Sequence, residues 1–303
     1  LESRCRPASR CGGVRRTRPV RARSRVRAFA RCASAALALS AGAGVAPLAA
    51  SAQQFPATTV QERGSPSTSA LPFGVGEELI YDVTSSRLGR IGEGAMRVEG
   101  PEAVRGRPAY RLSFEIDSRV GPVRVRDETR SWLEPEAMRS LRYSKRERHP
   151  LARRSEEVEI FPEDRRWVAE GGEAGRSSVD DPLDELSFLY FIRTLELDDD
   201  AEYVIERHFD PARNPVVVRV LGRERASLPS GLFDIVVVEM EVRDGERFEE
   251  TGLLRLYLTD DSARFPVRIV TSVPLAGELV LDLKALTPGV ALAGARDAGR
   301  TRL

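Results

Sequence analysis

The sequence predicts a mainly β protein, built as a single strongly curved antiparallel sheet or half-open barrel with one buried helix. Three observations carry this prediction. Apolar residues recur with period two through most of the chain after residue 73, as in Leu112, Phe114 and Ile116 alternating with Ser113, Glu115 and Asp117. Such alternation turns one face to a core and the other to water. Turn residues interrupt these stretches at short intervals, and a single segment near residue 188 carries helix signals instead.

Taken in chain order, residues 1–52 read as an export signal. Arginines 15, 16, 18, 21, 23, 25, 27 and 31 precede an apolar stretch from Ala33 to about Ala50, and Ala50-Ser51-Ala52 offers a small-x-small cleavage site before Gln53. The competing reading, an uncleaved anchor, is weakened by Gly42, Gly44 and Pro47 within the stretch. Position 1 is Leu and the basic region is long, so the true start is expected downstream. Cys32 precedes the apolar region, which makes it a poor lipid acceptor, and Arg15-Arg16 lacks the apolar residues expected after a twin-arginine pair. Localisation in the periplasm or outer envelope is therefore expected.

Residues 53–72 are rich in Ser, Thr, Pro and Gln and read as a disordered linker. The β-rich domain is expected over 73–286, and a disordered Gly/Ala/Arg tail over 287–303. Strands are predicted at 77–84, 93–99, 112–116, 123–125, 129–133, 139–147, 156–161, 165–169, 202–209, 215–220, 223–228, 233–243, 247–259, 265–271 and 278–286. Gly106-Arg107-Pro108, Gly121-Pro122, Gly171-Gly172, Pro229-Ser230-Gly231, Asp244-Gly245 and Asp260-Asp261-Ser262 mark turns between them. Between 181 and 193 the reading changes: Asp181 offers an N-cap, Pro182 a first helical position, and 183–193 follows without a breaker as about three helical turns. Its apolar residues cover more than one stripe, so the helix is expected to be largely buried.

Charge separates along the chain. Of 47 Lys and Arg and 46 Asp and Glu, eleven basic and one acidic residue fall in 1–52, leaving a net −9 on the remainder. That balance argues against nucleic acid as a partner. A hydrophobic fraction of 41% with 31% charged residues excludes a multi-span membrane protein, a collagen-like chain and a wholly disordered one. The three cysteines (Cys5, Cys11, Cys32) all lie in the leader, so neither disulfides nor thiolate metal sites are expected beyond it.

Several landmarks together resemble a known family. They are residues 73–83 (Phe-Gly-Val-Gly-Glu-Glu-Leu-Ile-Tyr-Asp-Val), Gly92-Glu93-Gly94, residues 184–193, Gly231-Leu232-Phe233, residues 256–261, Phe265-Pro266-Val267-Arg268-Ile269 and Gly277 before the last strand. In this order they resemble the exported bacterial family known as domain of unknown function 3108, with Tyr257 where that family usually has Trp. The resemblance implies an envelope location and a single β-rich domain. It carries no catalytic residues.

No cofactor or metal is expected. His149 and His208 fall in different predicted segments, there is no Gly-x-Ser-x-Gly elbow, and no zinc-binding His spacing occurs. The pairs Asp180-Asp181 and Asp260-Asp261 and the run 198–200 lack a calcium-loop pattern; they read as a helix cap, an Asx turn and a solvated loop. The basic run 139–154 could meet lipid phosphates or another polyanion, but interleaved glutamates favour a solvated sheet face. The leading functional expectation is a non-enzymatic carrier or binding module for an apolar or lipid-like ligand, with Leu186, Tyr190, Phe191, Val238, Met240 and Leu281 as pocket candidates. The alternatives are a structural or assembly partner in the envelope without a small ligand, and a carboxylate-based hydrolase.

Overall fold

The computed structural model describes residues 71–149, 152–243, 251–273 and 277–290. Six strands follow one another from the start: β1 (Glu78–Ser85), β2 (Gly89–Val104), β3 (Arg107–Val120), β4 (Val123–Glu134), β5 (Arg139–His149) and β6 (Ala152–Phe161). Next come β7 (Arg166–Ala169), β8 (Ala174–Arg176), the helix α1 (Glu185–Ile192) and β9 (Glu202–Ile205). The chain ends on β10 (Val216–Leu228), β11 (Gly231–Arg243), β12 (Thr251–Thr259), β13 (Pro266–Val273) and β14 (Gly277–Thr287). All fourteen belong to one antiparallel sheet, ordered β8-β7-β6-β5-β4-β3-β2-β1-β14-β13-β12-β11-β10-β9. The expected class, a curved antiparallel sheet that does not close on itself, is what the structure has. Strands adjacent in sequence pair throughout except β8 and β9, which stand at the two edges, while β1 also pairs with β14 and brings the two ends of the domain together in the middle of the sheet.

Five elements differ from the sequence reading. Residues 215–220 and 223–228 are one strand, bent by a bulge between Val220 and Gly222, where Gly222 takes φ +127°. The segments at 123–125 and 129–133 are likewise one strand, β4. The strand expected over 202–209 stops at Ile205, and β8 had no sequence signal. The helix is shorter, at eight residues, and its cap is Asp184 rather than Asp181. Asp184 Oδ1 accepts the backbone N–H of Leu186 and of Ser187, each at 2.9 Å, while Ser187 Oγ accepts the Asp184 N–H at 2.8 Å. This reciprocal box outcompetes the Asp181-Pro182 start. Asp181 instead forms an ion pair with Arg207 at 3.0 Å. Residues 247–250 of the expected strand at 247–259 lie outside the described residues, as do the leader and the linker up to residue 70.

The helix sits within the curve of the sheet, with seven of its eight residues buried. Phe188, Tyr190 and Ile192 pack into a core with Leu79, Tyr81 and Val83 of β1, Val218 and Val220 of β10, Val238 of β11, Leu256 and Leu258 of β12 and Leu281 and Leu283 of β14. The helix has no polar stripe because sheet or loop covers it on every side.

The two ends of the sheet meet without a strand ladder. Residues 181–184, ahead of the helix, run beside residues 207–209: the Leu183 N–H donates to Arg207 O at 2.6 Å and the Phe209 N–H to Leu183 O at 2.9 Å. His208 is buried at this seam, parallel to Phe188 at 6.3 Å and beside Phe209. Its Nδ1 accepts the Asp210 N–H at 3.1 Å, which leaves Nε2 buried without a partner. Burial is the main force on its imidazole and pulls the pKa down to about 4, against a smaller raising effect of Asp210.

The residues before β1 are fixed by an ion pair. Arg193, which caps the C-terminus of α1, donates Nη1 to Glu77 Oε1 at 2.6 Å and Nη2 to Glu77 Oε2 at 2.9 Å, and both side chains are 1% exposed. Nη2 also donates to Pro72 O at 2.7 Å and to Ala263 O at 2.9 Å, so the buried guanidinium is well provided with acceptors. The rings of Phe73, Tyr190 and Phe265 surround it.

Two expectations follow. Glu77→Gln or Arg193→Met leaves one buried charge uncompensated and should cost about 3–5 kcal/mol in a urea melt, and the double variant Glu77→Leu/Arg193→Met should cost less than the two singles together. For His208, whose pKa is near 6.5 when unfolded, the folded chain refuses a proton that the unfolded chain accepts between pH 6.5 and 4. Stability should therefore fall across that window as the pH drops, by up to about 3 kcal/mol, and His208→Phe should flatten that part of the profile. Parallel pH profiles of the two proteins would contradict the assignment.

Candidate functional site: a groove on the outer face

The pleat that turns Leu256 and Leu258 of β12 into the core turns Arg255 and Tyr257 outward. The same alternation buries Val267 and Ile269 of β13 but presents Arg268 and Val270, and buries Leu281 and Leu283 of β14 but presents Val280 and Asp282. Register then aligns these residues across strands. One outer row runs Thr84, Val280, Val270, Arg255, Glu239, and the next runs Asp82, Asp282, Arg268, Tyr257, Val237.

The two best-formed hollows among the described residues lie along these rows. One, of about 380 Å³, is lined by Arg255, Tyr257, Arg268, Glu278 and Asp282 over an apolar floor of Val270 and Val280. The other, of about 260 Å³, is lined by Gly222, Arg223, Glu224 and Val237 and shares Arg255 and Tyr257 with the first. The bulge at Gly222 leaves open space over the backbone there, with no atom within 4 Å of where a Cβ would stand. Together the hollows form one open groove from β1 across β14, β13, β12 and β11 to β10, roughly 24 Å at the spacing of paired strands.

Charges in the groove are largely matched. Arg268 holds Asp282 through Nε at 2.5 Å and Nη2 at 3.2 Å, with its guanidinium 5.7 Å from the centre of the Tyr257 ring. Arg255 donates Nη2 to Glu239 at 2.9 Å, but its Nε is buried without a partner. The hydrogen bonds they donate to these carboxylates raise both arginines above their ordinary pKa, so both remain cationic. The groove thus offers guanidinium and carboxylate groups, a phenol, a threonine hydroxyl and an aromatic ring, an array suited to holding a polar molecule. His208 lies in the seam and not in the groove. Among the described residues no group of three His, Cys, Asp or Glu side chains is placed to hold a metal.

The six side chains expected to wall an apolar pocket are brought together by the fold. Leu186, Tyr190, Phe191, Val238, Met240 and Leu281 all lie buried in one continuous core, packed against neighbouring side chains. The acidic clusters sort as turn and loop: Asp261 Oδ1 accepts the N–H of Ala263 and of Arg264 at 2.9 Å, forming the expected Asx turn, and residues 198–200 are exposed. Arg255, Tyr257 and Arg268 were not singled out as site residues by the sequence. The signal was present as polar residues at alternate positions in two otherwise apolar strands, but alternation alone does not say which outward residues border a hollow.

Fold and groove define a class: a β-barrel-like domain, open along one seam, with a packed interior and a polar outer face. The chain belongs to the family of proteins of unknown function DUF3108, whose model matches residues 80–284. No curated protein matches it. Among solved structures it is similar to a β-barrel-like protein of the domain of unknown function DUF1849 from Brucella abortus, with TM-score 0.50 and 10% identity over 72% of this chain and 99% of that one. At that identity the likeness concerns the fold. A candidate lipoprotein from Parabacteroides distasonis (10% identity, covering 72% and 99% of the two chains) and a candidate exported protein with a YmcC-like fold from Bacteroides fragilis (11%, 72% and 98%) match with TM-scores of 0.26, too low to carry an argument.

Proposed function

We propose that this protein is an exported, non-enzymatic binding module of the cell envelope, which takes a hydroxyl-rich ligand such as a glycan strand in the outer groove. The observation that carries this reading is where space is found. The interior, where an apolar ligand would have to sit, is filled by α1 and the sheet side chains around it, whereas the best-formed hollows lie outside. Matched guanidinium–carboxylate pairs beside a tyrosine ring suit an uncharged polar chain better than a strong anion or a lipid tail. The length and openness of the groove favour a chain over a compact metabolite. Export rests on the basic leader and its small-residue cleavage site.

Soluble peptidoglycan glycan strands, titrated calorimetrically, should bind the wild-type protein. Tyr257→Ala and Arg255→Ala should each weaken binding at least about tenfold with little change in Tm, since both side chains face outward. Undiminished binding by both variants would remove the groove from consideration. A lipid that co-purifies stoichiometrically in native mass spectrometry would return the ligand to the interior.

A further inference from the structure

The basic run 139–154 read in sequence as mixed charge, but the pleat separates it. Tyr143, Lys145 and Glu147 of β5 turn to the inner face, where Lys145 meets Glu185 of α1 at 3.5 Å. Arg142, Arg146 and Arg148 turn outward. Glu156, opposite Lys145, is removed from the outer face in the same way, and Glu157, which stays outside, is taken up by Arg146 at 2.5 Å.

What remains outside, near the β3–β4 and β5–β6 turns, is a cluster of five exposed arginines. Arg126, Arg148 and Arg153 lie directly opposite one another across β4, β5 and β6, and Arg119 lies opposite Arg124 across β3 and β4. Asp117 binds Arg124, and Glu115 is 3.5 Å from Arg126. Arg119, Arg148 and Arg153 form no ion pair among the described residues. Like charges placed directly opposite in a sheet oppose pairing, and among the described residues no carboxylate pairs with Arg148 or Arg153 to offset this.

We infer that this end of the sheet docks on the phosphate groups of an anionic lipid surface. Charge complementarity supplies the attraction, and geometry selects the partner. In a meander alternate turns share an end, so the β3–β4 turn at Gly121-Pro122 lies at the same end as the β1–β2 turn, where Leu88 is 49% exposed. A flat membrane can meet that end alone. A long polyanion such as nucleic acid would continue onto a body whose remaining charge, leader aside, is negative. Arginines one strand spacing apart, as Arg126, Arg148 and Arg153 are, act together on a surface of fixed phosphates, and salt should weaken them.

The test is co-sedimentation of the full chain with vesicles of phosphatidylglycerol and phosphatidylcholine in equal parts, and with phosphatidylcholine alone. The arginine-rich leader is present in every sample, so the differences between variants carry the result. The triple variant R119A/R148A/R153A should bind anionic vesicles roughly tenfold more weakly than wild type, and the corresponding triple lysine variant should stay close to wild type. Raising the salt from about 0.05 to about 0.3 M should narrow the difference. Equal binding by wild type and the alanine variant, equal binding to both vesicle types, or arginine-dependent capture of a DNA oligonucleotide but not of vesicles would each overturn the assignment. None of these substitutions touches the outer groove, so glycan binding is unaffected whichever way this result falls.

Discussion

Everything inside this sheet is arranged around one buried ion pair. A guanidinium and a carboxylate cannot both leave water unless nearly all their hydrogen-bonding capacity is met, and Arg193 and Glu77 satisfy that condition only when three separate parts of the chain are in place. The residues before β1 bring Glu77 and the Pro72 carbonyl. The end of α1 brings Arg193, and the β12–β13 turn brings the Ala263 carbonyl. The pair thus acts as a registration point: it sets how deep the helix lies and which turn of the sheet it meets. An apolar substitute of similar volume could fill the space but would not specify the alignment.

At the opposite end of α1 a second polar arrangement performs the same task by different means. Asp184 is fully buried, accepts from Ser131 Oγ at 2.5 Å, and belongs with Ser140 and Ser187 to a network linking β4, β5 and the helix cap. Desolvation lifts its pKa while these hydrogen bonds oppose the lift. The helix is therefore pinned at both termini by buried polar groups and held along its length by apolar contact, and the interior is left full. The outer face is dense with paired charges, such as Arg90 with Asp82 at 2.6 Å and Arg97 with Glu78 at 2.7 Å, which suits water and not the hydrocarbon of a bilayer.

How much of this was legible in the sequence depends on the range of the interaction concerned. Period-two alternation located nearly every long strand, because a half-buried strand writes its two environments into adjacent residues. The helix was legible from its lack of breakers and its all-round apolar character. Its start was misplaced because Asp181-Pro182 and Asp184 both carry cap chemistry, and only the three-dimensional company of Ser140 and Ser131 decides between them. β8 escaped because its three residues, Ala174, Gly175 and Arg176, are too few to hold a pattern; Gly175 lies flat against the Trp167 ring, where a Cβ would stand 2.5 Å away. The groove and the arginine row were not legible, since both depend on which residue stands opposite which in neighbouring strands. Yet several anchoring residues, Phe73, Glu77, Asp184, Arg193 and Phe265, lie within the short motifs that carried the family resemblance.

The pairing of β1 with β14 gives the molecule a direction. Both strands leave the sheet at one pole, through Glu78 and Thr287, while the turns that carry Leu88 and border the five arginines are at the other. The chain before β1 and the chain after β14 are thereby attached to the same pole, away from the basic one, with the outer groove on the flank between. A molecule held by either terminus would present its arginines outward like the far end of a lever, so polarity along the strand axis, more than any single pocket, determines what this protein can touch at once.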